Sequence, residues 1–289
     1  MIVKKKTVVI TGASSGIGKA TALHLDQLGF EVLAGVRRET DIRALADSAS
    51  PRLRPLFLDV TEADSIAAAV EEVAGRTNGE LFGLINNAGL SMNGPLELVK
   101  VSEIEKVFDV NVIGLLGITK AFIPLLRKGK GRLINISSGH GLLAIPDKSV
   151  YAASKFAVQA ISDALRTELA PFGVSVSNLV VGKVDTAVLG KILAERDAMV
   201  EASDPDIVEL YRPLFEFFDG EVKNMPGIPP TGVGETVAKA LTSKKPKAEY
   251  LIGPGAKKMK NLARLPRGLR DRMMYQALYK GRKTEGSNT

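Results

Sequence analysis

Seven short runs rich in β-branched residues, separated by longer stretches of helical pattern, constrain this chain more than any other feature. The runs are KTVVIT (6–11), EVLAGV (31–36), RPLFLDV (54–60), LFGLINN (81–87), GRLINIS (131–137), VSVSNLVV (174–181) and EYLIG (249–253). Helix-like segments lie between them, around 16–28, 62–75, 102–128 and 150–170. Near-continuous apolar strands alternating with helices predict a parallel sheet covered on both faces, an α/β doubly wound fold of about seven strands. Thr61 followed by Asp64 predicts a capping box, and Pro171 predicts the end of the helix begun near 150.

With 289 residues, 45% hydrophobic and 25% charged, the chain has enough apolar surface for one large core. It contains no cysteine, so disulfides and thiolate metal sites are excluded, which fits a reducing, cytoplasmic setting. Three lysines precede the apolar TVVI near the start, but TGASSGIG interrupts that run far short of a signal peptide. No uninterrupted apolar stretch approaches the roughly 18 residues of a membrane span. The net charge of +7 is concentrated in the tail. Between Gly255 and Lys283 ten cations face the single Asp271, which leaves the remainder slightly acidic.

The turn TGASSGIG follows the first strand and opens a helix. Gly12, Gly16 and Gly18 let backbone approach a ligand closely, and the helix N-terminus offers free N–H groups to a pyrophosphate. In a dinucleotide-binding fold, an acid at the end of the second strand would hold the ribose hydroxyls of NAD. Here Val36 stands near that position, followed by Arg37 and Arg38. Guanidinium groups suit a 2′-phosphate, so NADP(H) is favoured, with NAD(H) as the alternative. Tyr151 and Lys155 lie four residues apart, on one face of a helix. A free phenol titrates at about 10, and a neighbouring ammonium is expected to lower that value toward a useful acid/base range.

TGASSGIG (11–18), NNAG (86–89), Asn111, Ser138 and YAASK (151–155), in this order and with 13 residues from Ser138 to Tyr151, together resemble the short-chain dehydrogenase/reductase family from about Lys6 to Thr186. The resemblance implies a Rossmann-type fold and reversible hydride transfer between a nicotinamide cofactor and an alcohol or carbonyl. It also implies that Tyr151 is the general acid/base, that Lys155 lowers its pKa and holds the nicotinamide ribose, that Ser138 binds the substrate oxygen, and that Asn111 anchors a water. Cofactor contacts implied are Gly12, Ser14, Ser15, Gly16, Ile17, Gly18, Asp59, Val60, Asn87, Ala88, Gly89, Tyr151, Lys155, Val184 and Thr186, beside Arg37 and Arg38. The family commonly has Pro-Gly where this chain has Val181-Gly182, which leaves the roles of Val184 and Thr186 less fixed. A homodimer or homotetramer built on the long helices is implied as well, and weaker motifs point to the branch of retinol- and steroid-type dehydrogenases.

The expected organisation is a domain over 1–254, with a substrate lid at 187–230, and a basic extension over 255–289. The lid supplies Val188, Leu189, Ile192, Leu193, Leu214, Phe215, Phe217 and Phe218, and the segment after Ser138 supplies Leu142, Leu143, Ile145 and Pro146. These residues are expected to wall a pocket for a bulky, apolar small molecule, or else to pack against each other and the C-terminal helix. Neither histidine is expected to be catalytic. His24 belongs to the first helix, and His140, two residues past Ser138, is a candidate substrate contact. The extension mixes Leu262, Leu265, Leu269, Met273, Met274, Leu278 and Tyr279 with its cations. It reads as a helix packed on the domain with a solvated basic face, or as a peripheral membrane contact interrupted at Pro266 and Gly268. It lacks the interleaved aromatics of a nucleic-acid module. A catalytically idle dinucleotide sensor is the alternative to an enzyme, and the intact Ser138, Tyr151 and Lys155 argue against it.

Overall fold

All seven expected strands form, and they join in one parallel sheet. A computed structural model describes residues 6–224 and 226–279. The strands are β1 (Thr7–Ile10), β2 (Glu31–Val36), β3 (Leu53–Phe57), β4 (Gly83–Asn86), β5 (Arg132–Ser138), β6 (Ser175–Val181) and β7 (Glu249–Ile252), in spatial order β3-β2-β1-β4-β5-β6-β7. Order reverses beside β1, between β2 and β4, and the carboxyl ends of β1 and β4 open there into the crevice where such sheets bind ligands.

The continuous apolar strands are explained by a core on each face. Val8 and Ile10 point into one, with Leu25 of α1 (Gly16–Gln27) and with Val237 and Leu241 of α9 (Pro230–Thr242). Val9 points into the other, with Val73 of α3 (Ala63–Thr77) and with Ile118, Phe122 and Leu126 of α5 (Leu115–Gly129). The remaining helices are α2 (Glu39–Ala46), α4 (Val101–Phe108), α6 (Ser149–Leu169), α7 (Val188–Glu201), α8 (Pro205–Asn224), α10 (Gly253–Ala263) and α11 (Arg267–Tyr279).

The segment read as one helix over 102–128 is α4 and α5 joined through a π-type bulge at Asp109–Gly114. The stretch Val101–Gly129 is long and apolar enough to cross a bilayer, yet Ile118, Phe122 and Leu126 bury its apolar side against the sheet. The capping box does not form. Asp59 accepts from both the backbone N–H and the hydroxyl of Thr61, at 3.0 and 2.8 Å, and α3 starts behind Glu62 instead. Helix α6 ends where expected, in a turn over Ala170–Phe172 closed by Gly173 at φ +74°.

A buried polar ladder not apparent in the apolar pattern crosses the sheet centre. Asn86, Asn135 and Asn178 are register partners on β4, β5 and β6. Asn86 donates to Asn135 at 2.9 Å and to Thr119 at 2.8 Å, Asn135 donates to Ser162 at 2.8 Å, and Asn178 donates to Gln159. A one-residue slip would strand these amides among apolar groups, so the ladder fixes strand register and seats α5 and α6.

Candidate active site

The glycine turn is built for close approach. Gly12 has φ +66°, and a Cβ there would stand 2.8 Å from Ala88 Cα. At Gly18 a Cβ would fall 2.1 Å from the Gly12 carbonyl oxygen. Helix α1 begins behind Ser15, which makes no side-chain cap, so its first N–H groups face the crevice. Asn87 clips the two loops together by donating to the carbonyls of Thr11 and Gly12 at 2.9 and 3.0 Å. The Thr11 hydroxyl in turn accepts from the N–H groups of Asn87 and Ala88. No side chain larger than hydrogen fits at Gly12 or Gly18, and the cradle they leave matches a dinucleotide pyrophosphate at a helix N-terminus.

A cleft of about 450 Å³ runs from this turn to the carboxyl ends of β4, β5 and β6. It is lined by Gly12, Ser14, Ser15, Gly16, Ile17, Gly18, Arg37, Arg38, Val60, Asn87, Ala88, Gly89, Ser138, Tyr151, Lys155, Val184 and Thr186. Two expected residues are not among those that line the cleft. Asp59 turns to Thr61 and lies 3.7 Å from Arg37 rather than lining the cleft. Asn111, 1% exposed in the π-type bulge, accepts from the Leu90 N–H at 2.7 Å and donates to the Leu90 carbonyl and the Ser154 hydroxyl, both at 2.9 Å. Its side chain therefore holds the Leu90 loop in place beside Ser154.

The two arginines differ. Arg38 makes a bidentate pair with Asp41, at 2.8 and 2.9 Å, across the start of α2. Arg37 remains 60% exposed beside the cleft.

Burial dominates the charge balance around Tyr151. Lys155 Nζ donates to the Ile136 carbonyl at 3.1 Å and lies 5.8 Å from the Tyr151 ring centre. Loss of solvent lowers its pKa to about 8, so it is cationic at neutral pH. The protein by itself does not lower the Tyr151 pKa, a lowering expected from Lys155 together with a nicotinamide cation. Burial raises it, and hydrogen bonding with Ser138 opposes that only in part. Tyr151 therefore carries its proton at neutral pH.

His140 packs edge-on against Tyr151, with ring centres 5.8 Å apart, and burial lowers its pKa to about 4. It supports the Tyr151 ring as a neutral group and does not line the cleft. Val181, where the family commonly has proline, continues β6 and pairs with Ser138 and Ile252. Past Gly182, Val184 bridges to Ile228, and this pairing clamps the base of the α7–α8 excursion.

The apolar wall expected from that excursion is mostly not in the cleft. Ile192 lines it, but Leu214 and Phe218 of α8 pack with Leu278 of α11, against Ile145, Phe217 and Met274. The side chains of Val188 and Leu189 lie outside the described set. Sequence reading missed Leu90 and Ser91, which line the cleft from the β4 loop, and Lys191 and Glu195 from α7. Polar lining contributed by a helix distant in sequence has no local signature.

Comparison with known proteins agrees with this geometry. The family model described as short chain dehydrogenase matches residues 6–197. Retinol dehydrogenase 7 of Mus musculus is 34% identical over 280 residues, spanning 93% of this chain and 88% of that enzyme. The uncharacterized oxidoreductase YbbO of Escherichia coli is 35% identical over 252 residues, 86% of each chain. A short chain dehydrogenase from Burkholderia cenocepacia, solved in complex with NADP, superposes with a TM-score of 0.73 at 26% identity, over 94% of this chain and 99% of that one. The chain thus belongs to the short-chain dehydrogenase family and is an oxidoreductase that acts on CH–OH donors with a nicotinamide dinucleotide.

Proposed function

We propose that this oxidoreductase prefers NADP(H) and interconverts a bulky, mostly apolar alcohol and its carbonyl compound. The observation that carries the cofactor preference is Arg37, exposed at the end of β2, lining the cleft where NAD-specific relatives of the fold would place an acid. Its pair with Asp59, at 3.7 Å and exposed, is weak enough to yield to a phosphate, whereas Arg38 is committed to Asp41. An apolar substrate is supported by Leu90, Val110 and Ile192 in the cleft, and we read α7 together with α8 as the lid over it.

A nicotinamide dinucleotide, when bound, supplies or accepts the hydride. Gly12 to Gly18 would hold its pyrophosphate, Arg37 its 2′-phosphate, Val60 and Ala88 its adenosine end, and Lys155, Val184 and Thr186 its nicotinamide end. The Ser138 hydroxyl orients the substrate oxygen. Tyr151, protonated before substrate enters, donates its phenolic proton to a carbonyl oxygen during reduction and accepts the alcohol proton in reverse. The Lys155 cation favours the phenolate that reduction leaves behind. Ile113, Leu116 and Phe156, exposed on the long helices, support assembly into a homodimer or homotetramer.

The test is a matrix of initial rates with NADPH and NADH over a homologous series of ketones, for wild type and Arg37→Ala. NADPH is expected to be preferred, and kcat/KM is expected to rise with apolar size. Arg37→Ala should weaken NADPH by about 1.5–3 kcal/mol, roughly 10- to 150-fold, and leave NADH nearly unchanged. Equal losses for both cofactors would remove Arg37 from phosphate recognition. A small polar carbonyl as best substrate would overturn the apolar reading.

A further inference from the structure

Helix α11 has apolar groups on two opposite faces. One face, Met274 and Leu278, packs on Leu214 and Phe218 of α8. The other carries Leu269 and Met273, each 44% exposed, and Tyr279, 41% exposed, with Arg272 among them. Tyr275, 61% exposed, lies beside Tyr279 with ring centres 5.0 Å apart. At 100° per residue, Leu269, Arg272, Met273 and Tyr279 share one outward arc, and Asp271 lies off it. Lys257, Lys258, Arg264 and Arg267 are also exposed on α10 and around the turn between the helices, while Lys260 is paired with Glu249. Pro266 breaks the two helices apart as expected, whereas Gly268 lies inside the first turn of α11 without interrupting it. Lys280, Arg282 and Lys283 lie outside the described residues.

We propose that the outward face of α11, flanked by the cations of α10, docks on an anionic phospholipid bilayer. Apolar and aromatic side chains at the centre of a basic surface are the composition of an interfacial helix. From Gly255 to Tyr279 seven cations oppose one acid, so the charge complement of the face is an anionic surface. A second copy of the chain would bring the same excess of cations on this segment, which opposes self-association through it. The docked face is tied to the site from behind. Met259 of α10 packs on Gly139 beside Ser138, where a Cβ would stand 2.5 Å from its sulfur, and Leu278 of α11 packs on Phe218 of the lid. A bilayer under α11 therefore places the lid at the source of an apolar substrate. That last consequence rests on the substrate reading above, and the docking does not.

The full-length protein is sedimented with vesicles of phosphatidylglycerol and, separately, of phosphatidylcholine, at low and high salt. Binding to phosphatidylglycerol alone, released by salt, is expected. Arg267→Ala/Arg272→Ala should lower vesicle affinity about thirtyfold, and Leu269→Ser/Met273→Ser at least about tenfold. All four positions are exposed, and circular dichroism confirms that each variant is folded. No enzyme turnover is read, so failure here is separate from failure of the substrate assignment. Absence of sedimentation with phosphatidylglycerol, or unchanged affinity in Leu269→Ser/Met273→Ser, overturns the proposal. So does a dimer in lipid-free solution that Leu269→Ser/Met273→Ser dissociates, because the face would then belong to a second copy.

Discussion

Replacing Asn111 by Leu separates a structural side chain from a proton-relay side chain. The amide makes three hydrogen bonds at 1% exposure, two of them to the backbone of Leu90 and one to the Ser154 hydroxyl. Leucine fills similar volume but satisfies none of them. Ser154 still donates to the Tyr151 carbonyl at 2.8 Å, so its loss is small. The Leu90 N–H and carbonyl are half-buried and recover solvent only in part. Counting about 1–2 kcal/mol for each of these two groups gives a destabilisation of about 2–4 kcal/mol, a large share of the roughly 5–15 kcal/mol that folds a domain. For a chain of this size that is a fall in Tm of about 4–15 °C, read by circular dichroism and checked by the urea midpoint. Asn111→Asp keeps an acceptor for the Leu90 N–H, loses both donations and buries a carboxylate. Its deficit should grow as pH rises and the acid ionises. A normal Tm in Asn111→Leu, together with a collapsed kcat, would refute this account and return the side chain to the proton path.

Two further outcomes are expected, one in the site and one outside it. Tyr151→Phe should reduce kcat by about 10²–10⁴-fold or more and leave dinucleotide affinity, measured by fluorescence titration, close to normal; near-normal turnover would refute its role as acid and base and reopen the idle-sensor reading. Asp147, buried beside Lys148 with one carboxylate oxygen unpartnered, has its pKa raised to about 6, mainly by loss of solvent. Because the folded state holds this proton more tightly than the unfolded chain, the group destabilises the protein as pH rises from about 4 to about 6, and the deficit is complete above that window. Asp147→Asn, which tolerates the local φ of +68°, should therefore be more stable than wild type by about 1–3 kcal/mol at pH 8, and the gain should vanish toward pH 4. An equal gain at both pH values would show that ionisation is not the cause.

How far residues reach along the chain decides what could be read without the fold. The seven strands were legible because a parallel strand is buried on both faces, so its apolar run is continuous and local. The glycine turn, and Tyr151 with Lys155, were legible because each is a short-range pattern whose geometry one strand end or one helix turn enforces. Ser138 and the NNAG segment were legible only as a resemblance, and the sheet order brings them to the same crevice. Side-chain partners across the fold were not legible. Thr61 has the pattern of a helix cap, but Asp59 takes its hydroxyl, and nothing near Asn111 in sequence marks Leu90 and Ser154 as the partners of its amide. Leu214 and Phe218 carried the same apolar signal whether they faced a substrate or Leu278, and packing chose Leu278. The Tyr151 pKa went the same way, because the desolvation that raises it is the sum of everything packed around the cleft and has no local pattern in the sequence. Local chemistry thus fixed which residues could act, and only tertiary burial decided which of them are free to.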